Sequence, residues 1–344
     1  MELTPREIDV LNIIVESYIQ NASPVGSRYV AKRSSLSLSP ASMRNIMADL
    51  TEKGYLAQPH TSAGRVPTDL AFRYYVDTLL KPDTPPEKLQ ATIQEYLSRA
   101  GLELSGILEK TSKLISDQSS LVGMAVAPQS SSVRWKRIDF VPVSTGLVMA
   151  VLVFEGGMIQ HKLLEIQESV KQEDLEKYRN ILNEQFQGMP LYEVKQRILS
   201  QIELARNEFN KLYERALNLA KEACGEEEQG RQVYVDGTVK IWDSVDSKDL
   251  ESMRELLEFL EHRSELMDIL DQITRARGMT VLFGSQITGR NLSEWSIISS
   301  PYGIHDRTLG VVGTIGPVHM DYSRLVPLVD YIAKMLNQIL ESRT

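Results

Sequence analysis

Apolar positions near the start of the chain recur every three or four residues, which predicts a helix with one buried face. The pattern begins just after Thr4, and Glu7 stands three positions later, the spacing of an N-terminal capping box. Ser39-Pro40 repeats the signature of an N-cap followed by a proline, and it opens a further amphipathic segment that Gly54 is expected to end. With a short helix over 27–33 between them, the pattern is typical of a helix-turn-helix.

The residues after this glycine have the pattern of a short hairpin. Residues 55–58 and 65–67 are expected to form two strands, joined by a turn of small and polar residues. A two-stranded ribbon directly after the third helix is the wing of a winged helix-turn-helix. Thr68 is expected to cap a further helix over 69–80, so we assign residues 1–80 to a winged helix-turn-helix domain.

The third predicted helix offers side chains that could read bases. Its apolar residues are expected to face inward: Met43, Ile46, Met47 and Leu50. This leaves Ser42, Arg44 and Asn45 facing outward near the helix N-terminus. Arginine can bond guanine through two hydrogen bonds and asparagine can do the same for adenine, so we expect these side chains to read bases. The alternative is that they are solvated helix surface, or that they contact protein, as some winged helices do.

Small, polar and basic side chains elsewhere in the domain are better suited to phosphates, which position a protein without reading sequence. We expect such contacts from Ser27, Arg28, Ser39, His60, Thr61, Ser62 and Arg65. The net charge of the chain is −8, but residues 26–75 carry seven basic and three acidic side chains. This segment is therefore +4 and the remainder −12, which is compatible with DNA binding because the local field governs the contact.

A proline-rich linker, residues 81–86, separates this domain from the remainder. A single long helix is expected over 87–118. Strand-like segments follow at 121–127, 137–143, 147–154 and 159–166, and again at 279–284, 296–300 and 309–315, before a closing helix over 326–340. Strands on both sides of a helical middle predict an α+β domain, 87–167 and 247–344, interrupted by an inserted, mainly helical domain over 168–246.

The predicted insertion carries an apolar stripe with alternating spacings of four and three, about three heptads long. The stripe consists of Ile198, Ile202, Ala205, Phe209, Leu212, Ala216 and Leu219. Two interpretations stay open, a contact between two copies of the chain or the core of the inserted domain itself. For a dimer interface, the residues of interest are Ile198, Ile202, Phe209, Leu212 and Leu219.

The remaining side-chain chemistry does not indicate an enzyme. The five histidines lack the spacing of metal ligands, and Cys224 is the sole cysteine, which excludes an internal disulfide. The glycine-rich run 310–316 lacks the lysine and the following helix of a phosphate-binding loop. We therefore expect no catalytic residue, no metal and no cofactor.

Composition is that of a globular protein, with 42% hydrophobic and 24% charged residues. The longest apolar run, 147–154, is eight residues long, whereas a membrane span needs about 20. The first residues lack the basic start and apolar stretch of a secretory signal. The expectation is a cytoplasmic protein without a membrane partner.

Four segments resemble the bacterial heat-inducible transcription repressor HrcA family. They are SPASMRN at 39–45, PHTSAGRVPT at 59–68, RYYVD at 73–77 and GTIGPVHMDY at 313–322. The segment at 59–68 is long and unusual, which makes the match specific. Two positions depart from the family pattern: Ala71 stands where a glycine is expected, and His319 stands where an arginine is usual.

The resemblance implies a GAF-like domain split by an inserted dimerising domain. It also implies a homodimer that represses heat-shock operons from an inverted-repeat operator in double-stranded DNA, with activity that depends on the GroEL chaperonin. Two other function classes stay open: a regulator that senses a small molecule in the GAF-like domain, and a winged helix that contacts protein and not DNA.

Overall fold

The chain folds as a mixture of helices and antiparallel sheets. The computed structural model describes residues 3–60, 63–80, 84–101, 103–128, 133–155, 158–166, 170–207, 211–224, 232–240, 250–276, 278–287, 292–305 and 307–342. Within these residues, no helix is both long enough and apolar enough to cross a membrane.

The N-terminal unit, residues 3–80, has the predicted order of three helices, a hairpin and a fourth helix. Its elements are α1 (Pro5–Asn21), α2 (Ser27–Arg33), α3 (Pro40–Glu52), β1 (Leu56–Ala57), β2 (Val66–Pro67) and α4 (Asp69–Tyr74). The last helix continues as a π-helical turn over Tyr75–Leu79. One buried core, which includes Leu11, Ile14 and Met43, holds the three helices together.

Two helices connect this unit to the rest of the chain, α5 (Glu87–Ser98) and α6 (Leu104–Ser119). The sequence predicted a single helix over 87–118, and this prediction is wrong. The helix is interrupted at Gly101, which adopts a φ of +87°. Glycine tolerates this left-handed conformation, so the chain turns there and α6 packs on the sheet that follows.

A five-stranded antiparallel sheet, which we call the central sheet, forms the largest unit. Its strands are β3 (Val122–Val126), β7 (Val233–Asp236), β8 (Thr280–Phe283), β9 (Trp295–Ile304) and β10 (Arg307–Pro317), in the order β7-β3-β10-β9-β8. Helices α6 and α12 (Tyr322–Glu341) cover one face, while α10 (Leu250–Glu261) and α11 (Arg263–Arg275) cover the other. Both faces are therefore buried, which explains why the strands lack a polar–apolar alternation.

A second, three-stranded sheet belongs to a separate inserted unit. It consists of β4 (Trp135–Ser144), β5 (Leu147–Phe154) and β6 (Ile159–Glu165), and the helices α7 (Gln172–Phe186), α8 (Leu191–Asn207) and α9 (Lys211–Cys224) follow it. Helices α7 and α9 pack on one face of this sheet. The other face remains outside the core: along β5, buried residues alternate with half-buried ones.

The amide side chain of Asn183 on α7 lies against the free edge of β4. Its oxygen accepts the Ile138 N–H at 2.7 Å, and its nitrogen donates to the Ile138 carbonyl at 2.9 Å. An asparagine thus supplies both hydrogen bonds that a neighbouring strand would supply at this position, and it satisfies the backbone of an edge strand.

The grouping of strands differs from the sequence expectation. We expected 137–143, 147–154 and 159–166 to belong with the later strands in one domain, but these three strands pair only with each other among the described residues. Conversely, β7 lies inside the predicted insertion of 168–246, yet it pairs with β3 in the central sheet. Strand pairing between distant segments decides this grouping, and local periodicity does not reveal it.

The apolar stripe of the insertion is also corrected by the structure. Ile198, Ile202 and Leu219 are 1%, 7% and 5% exposed, and they belong to the main hydrophobic core. Helices α8 and α9 pack against each other through this region. For these three residues the stripe is the core of the inserted unit and not a dimer interface. Phe209 lies outside the described residues, and the side chain of Leu212 is not described.

Candidate nucleic-acid interface

Helix α3 presents a polar face to solvent because its opposite face is buried in the core. Met43, Met47 and Leu50 are buried on the inner side. Arg44 and Asn45, which are one to two residues away along the helix, are therefore exposed. The predicted outward orientation of Arg44 and Asn45 is confirmed, and their role in reading bases stays a prediction.

The two serines at the start of α3 are engaged with each other. Ser39 is the N-cap, as predicted, and its hydroxyl accepts the Ser42 N–H at 3.2 Å. The hydroxyls of Ser39 and Ser42 are 3.0 Å apart. Ser42 is half-buried, so it is less available for a base than Arg44.

The end of α3 turns the chain sharply into the hairpin. Gly54 has a φ of +81°, the Gly54 N–H donates to the Thr51 carbonyl at 3.0 Å, and the Tyr55 N–H donates to the Leu50 carbonyl at 3.0 Å. These two bonds form a Schellman motif. The predicted C-terminal glycine is confirmed, and its conformation fixes where β1 begins relative to α3.

The hairpin is held against the start of α2 by a backbone contact that the sequence did not predict. The N–H and carbonyl groups of Val25 and Arg65 exchange hydrogen bonds of 2.8 and 2.9 Å. Gly64 lies directly over this bridge, because a Cβ atom there would be 2.4 Å from the Val25 carbonyl oxygen. The glycine is required here by close approach and not by its backbone dihedrals.

Arg65 is tied to α3 by its side chain. Its Nε donates to the Thr51 hydroxyl at 3.0 Å, and this hydroxyl donates to the Met47 carbonyl at 2.7 Å. We predicted Arg65 as a phosphate contact; in the structure it is half-buried and links the hairpin to the candidate reading helix. Thr51, which receives this bond, was not singled out in the sequence, where its role has no local signal.

Thr68 occupies the N-cap position of α4, as predicted, and its carbonyl accepts the N–H groups of Ala71 and Phe72 at 2.9 and 3.1 Å. Its side chain makes no capping hydrogen bond. Its hydroxyl lies 2.7 Å from the Gly54 carbonyl oxygen and 3.0 Å from that of Tyr55. The predicted cap position is therefore confirmed, but the Thr68 hydroxyl is directed at the base of the hairpin and not at the start of α4.

An ion pair joins the first and third helices. The Lys53 Nζ lies 2.7 and 2.9 Å from the two carboxylate oxygens of Glu7, which also receives the Thr4 N–H in the predicted capping box. The hydrogen bond from Lys53, followed by that from Thr4, lowers the pKa of Glu7. Because the folded pKa is lowered, the ionised pair stabilises the fold at neutral pH, and this contribution is lost on acidification through that pKa.

The remaining predicted phosphate contacts lie on or beside these elements. Arg28 is exposed and Ser27 half-buried in the first turn of α2, and His60 is exposed near the hairpin tip. Thr61 and Ser62 lie outside the described residues. Helices α2 and α3 pack directly together, so the exposed Arg28 and Arg44 belong to one small module.

Metal-binding groups and the single cysteine were the other candidates for chemistry. Within them, no group of three or more histidine, cysteine, aspartate or glutamate side chains could hold a metal ion. Burial raises the pKa of the Cys224 thiol to about 12, so it carries almost no thiolate at neutral pH.

Comparison with known proteins decides the family. A profile of the HrcA protein C terminal domain matches residues 105–326, more than half of the chain. The heat-inducible transcription repressor HrcA of Nitratidesulfovibrio vulgaris, strain Miyazaki F, is 42% identical over 344 residues, which cover 99% of this chain and 97% of that protein. The chain belongs to the HrcA family.

Further relatives agree with this assignment. The HrcA repressor of Geobacter sulfurreducens is 37% identical over 340 residues, covering 99% of both chains. A crystal structure described as a hypothetical protein matches the full length of both chains with a TM-score of 0.64 and 22% identity, so it shares the fold. The resemblance inferred from four segments is confirmed. The named relatives are transcription repressors, which also confirms the expectation of a protein that is not an enzyme.

The close approach at Gly64 generates a prediction. Gly64→Ala would force the hairpin away from Val25, and we expect it to destabilise the N-terminal unit by roughly 1–3 kcal/mol, the usual cost of overpacking. Thermal unfolding monitored by a probe in this unit measures the effect. Gly26→Ala is the matched control, since nothing lies within 4 Å of a Cβ there. Equal stability of the two variants would contradict the packing argument.

Proposed function

We propose that this protein represses heat-shock operons by binding an inverted-repeat operator in double-stranded DNA as a homodimer. The observation that carries the proposal is the exposed Arg44–Asn45 pair on α3, beside a hairpin, in a chain that belongs to a repressor family. An occupied operator excludes the polymerase from the promoter. Such a repressor acts on bacterial DNA in the cytoplasm.

The N-terminal unit is proposed to bind as a winged helix-turn-helix. Helix α3 would enter the major groove, where Arg44 and Asn45 can reach base edges. Arg28 and the hairpin tip would contact phosphates and set the register. Arg65 would act mainly by holding the hairpin to α3, since its Nε is already bonded to Thr51.

The central sheet with its helices is proposed to be the GAF-like domain that the resemblance implies. As a second function, this domain could sense a small molecule. The packing of the described residues disfavours that function: Trp295, Tyr302 and Phe259 are at most 1% exposed and fill the layers on either side of the sheet. A ligand that raises thermal stability and changes DNA affinity would support it.

We propose the outer face of the three-stranded sheet as the contact between the two copies. Val141, Met149 and Leu163 are direct neighbours across β4, β5 and β6. Val141 and Leu163 are 45% and 56% exposed, although the opposite face of the sheet is covered by helices. An exposed apolar row of this kind is typical of an interaction surface, and a two-fold contact would let the row cover itself.

Dependence on the GroEL chaperonin is proposed from the family and from the folding topology. The central sheet pairs β3 with β10, nearly two hundred residues apart in the chain, and the inserted unit must fold between them. Such non-local pairing is slow and exposes apolar surface on the way.

For the proposed function, the first prediction concerns base reading. Arg44→Ala should cost roughly 1–3 kcal/mol on the operator and relax specificity at one base position. Arg28→Ala is the comparison, because a lost phosphate contact should weaken all duplexes evenly and reduce the salt dependence. Titrations of operator and random duplex at several salt concentrations measure both effects. Equal losses on both duplexes for Arg44→Ala would contradict its role as a base reader.

The second prediction concerns the dimer. Leu163→Glu would place a carboxylate in a desolvated contact, so it should dissociate the dimer and lower operator affinity steeply while half-site affinity is kept. Val239→Glu is the matched control, because Val239 is 75% exposed beyond β7 of the central sheet. Sedimentation gives the oligomeric state. A folded Leu163→Glu protein that stays dimeric would show that the copies meet elsewhere.

The third prediction concerns the chaperonin. GroEL should raise the fraction of active repressor recovered from denaturant without changing the operator affinity of the active molecules. Titration of the refolded protein with operator DNA at high concentration gives the active fraction, and titration at low concentration gives the operator affinity. Equal recovery with and without the chaperonin would contradict folding dependence.

A further inference from the structure

Five rings from distant parts of the chain meet between the N-terminal unit and the central sheet. We call this cluster the aromatic joint; it consists of Tyr18, Phe72, Phe283, His319 and Tyr322. Phe72 of α4 stacks on Phe283 of β8 with ring centroids 6.0 Å apart and lies 6.2 Å from Tyr322. Tyr18 of α1 contacts Phe72 at 6.1 Å and His319 at 6.2 Å.

Arg73 adds polar interactions beside these rings. The guanidinium of Arg73 lies over the Phe283 ring, 5.2 Å from its centroid, and donates a hydrogen bond to the Gln286 side-chain oxygen. The same oxygen accepts the Phe283 N–H at 3.2 Å. Arg73 is therefore joined to the end of β8 by a cation–π contact and by a charge-assisted hydrogen bond.

The central-sheet side of the joint is firmly held. Phe283 and Tyr322 are 1% and 0% exposed. The Tyr322 hydroxyl donates to the Val318 carbonyl at 2.6 Å and lies 2.9 Å from the Ser296 hydroxyl on β9. A side chain packed and bonded in this way keeps one position, so Phe72 and Arg73 dock against a rigid surface.

The joint also accounts for two segments that DNA contact leaves unexplained. RYYVD at 73–77 follows Phe72 in the N-terminal unit, and GTIGPVHMDY at 313–322 ends in the joint from the central sheet. Neither segment contains a residue that we assign to DNA. The two segments meet at the contact between the N-terminal unit and the central sheet, and this contact sets the orientation of one relative to the other.

We propose that Arg73 and the aromatic joint are the positioning device that sets which operator spacing the dimer accepts. The inference rests on the proposed function, that a homodimer binds an inverted repeat. In the proposed dimer the inserted units connect the two copies, and the joint fixes the angle of each α3 relative to the central sheet of its own copy. Arg73 acts through that angle and touches no base.

Operator spacing reports this angle directly. Adding one base pair between the half-sites moves the second half-site by about 3.4 Å along the DNA axis and turns it by about a tenth of a helical turn. Two α3 helices held at a fixed angle cannot reach both half-sites after this change. If the aromatic joint is weakened, the helices can reorient and reach both half-sites, but the effective concentration at the preferred spacing is lower.

The test compares the full-length wild type with Arg73→Ala and with Gln286→Ala. Gln286 is exposed, so its replacement is compatible with folding even if loss of Arg73 is not. Each protein is titrated with an isolated half-site and with operators whose spacer is varied by −2 to +2 base pairs. The readout is the ratio of affinities between the preferred and the altered spacers.

We expect the wild type to prefer one spacer by at least about tenfold, and both variants to reduce that preference to about threefold or less with unchanged half-site affinity. Arg73→Lys keeps a charge but loses the guanidinium fork, so it should fall between wild type and Arg73→Ala. Arg33→Ala is the matched control, because the Arg33 guanidinium lies 5.0 Å from the Tyr29 ring centroid within the N-terminal unit. It should leave the spacer preference intact.

Three results would overturn the proposal, and each is distinguishable from the others. If wild type and both joint variants show the same spacer preference, the joint does not set the spacing, although dimeric operator binding stands. If the wild type binds the half-site as tightly as the operator and ignores the spacer, the proposed dimeric binding itself fails. A spacer preference that is lost equally in Arg33→Ala also counts against the joint.

Discussion

The burial of strand β10 on both faces is the constraint on which the rest of the structure depends. Every residue of this strand from Leu309 to Pro317 is buried. It pairs with β3 on one side and β9 on the other. Val311 lies in the core under α10 and α11, whereas Val312 lies in the core under α6 and α12. The strand thus separates two hydrophobic layers and joins chain segments that are far apart in sequence.

The turn that follows this strand connects the sheet to the N-terminal unit. It carries His319 and leads into Tyr322, so the positions of both rings depend on where β10 ends. The exposed side chains of α3 are far from this strand in sequence. Their orientation nevertheless depends on it, because α1 and α4 rest on those rings. In this chain the core of one unit sets the geometry of the surface of another.

Local signals in the sequence predicted the N-terminal unit well. The capping box of Thr4 and Glu7, the Ser39 cap and the glycine at 54 each depend on residues within a few positions of one another. The exposed face of α3 followed from the same helical periodicity. These features could be predicted because the interaction that stabilises them is encoded in a short stretch.

The differences from the sequence expectations share a physical cause, which is competition from distant partners. Thr68 stands at the predicted N-cap of α4, but its hydroxyl is directed at the Gly54 and Tyr55 carbonyls and makes no capping bond. The phosphate contact of Arg65 stays a prediction, but its Nε–H is already donated to the distant Thr51. The stripe that contains Ile198 has the spacing of a coiled coil, but α9 covers it within the same chain. Periodicity reveals that a face is apolar and does not reveal what covers it.

The asparagine on α7 that completes the edge of β4 has a consequence for the failure of this protein under heat. Its two hydrogen bonds exist only while α7 stays in place. When the helix detaches, the Ile138 backbone is left with an unpaired donor and acceptor, close to the row of Val141, Met149 and Leu163. An open strand edge beside exposed aliphatic side chains is a template for cross-β association. Local melting of one helix would therefore convert the chain into an aggregation-prone form while most of its core is still folded.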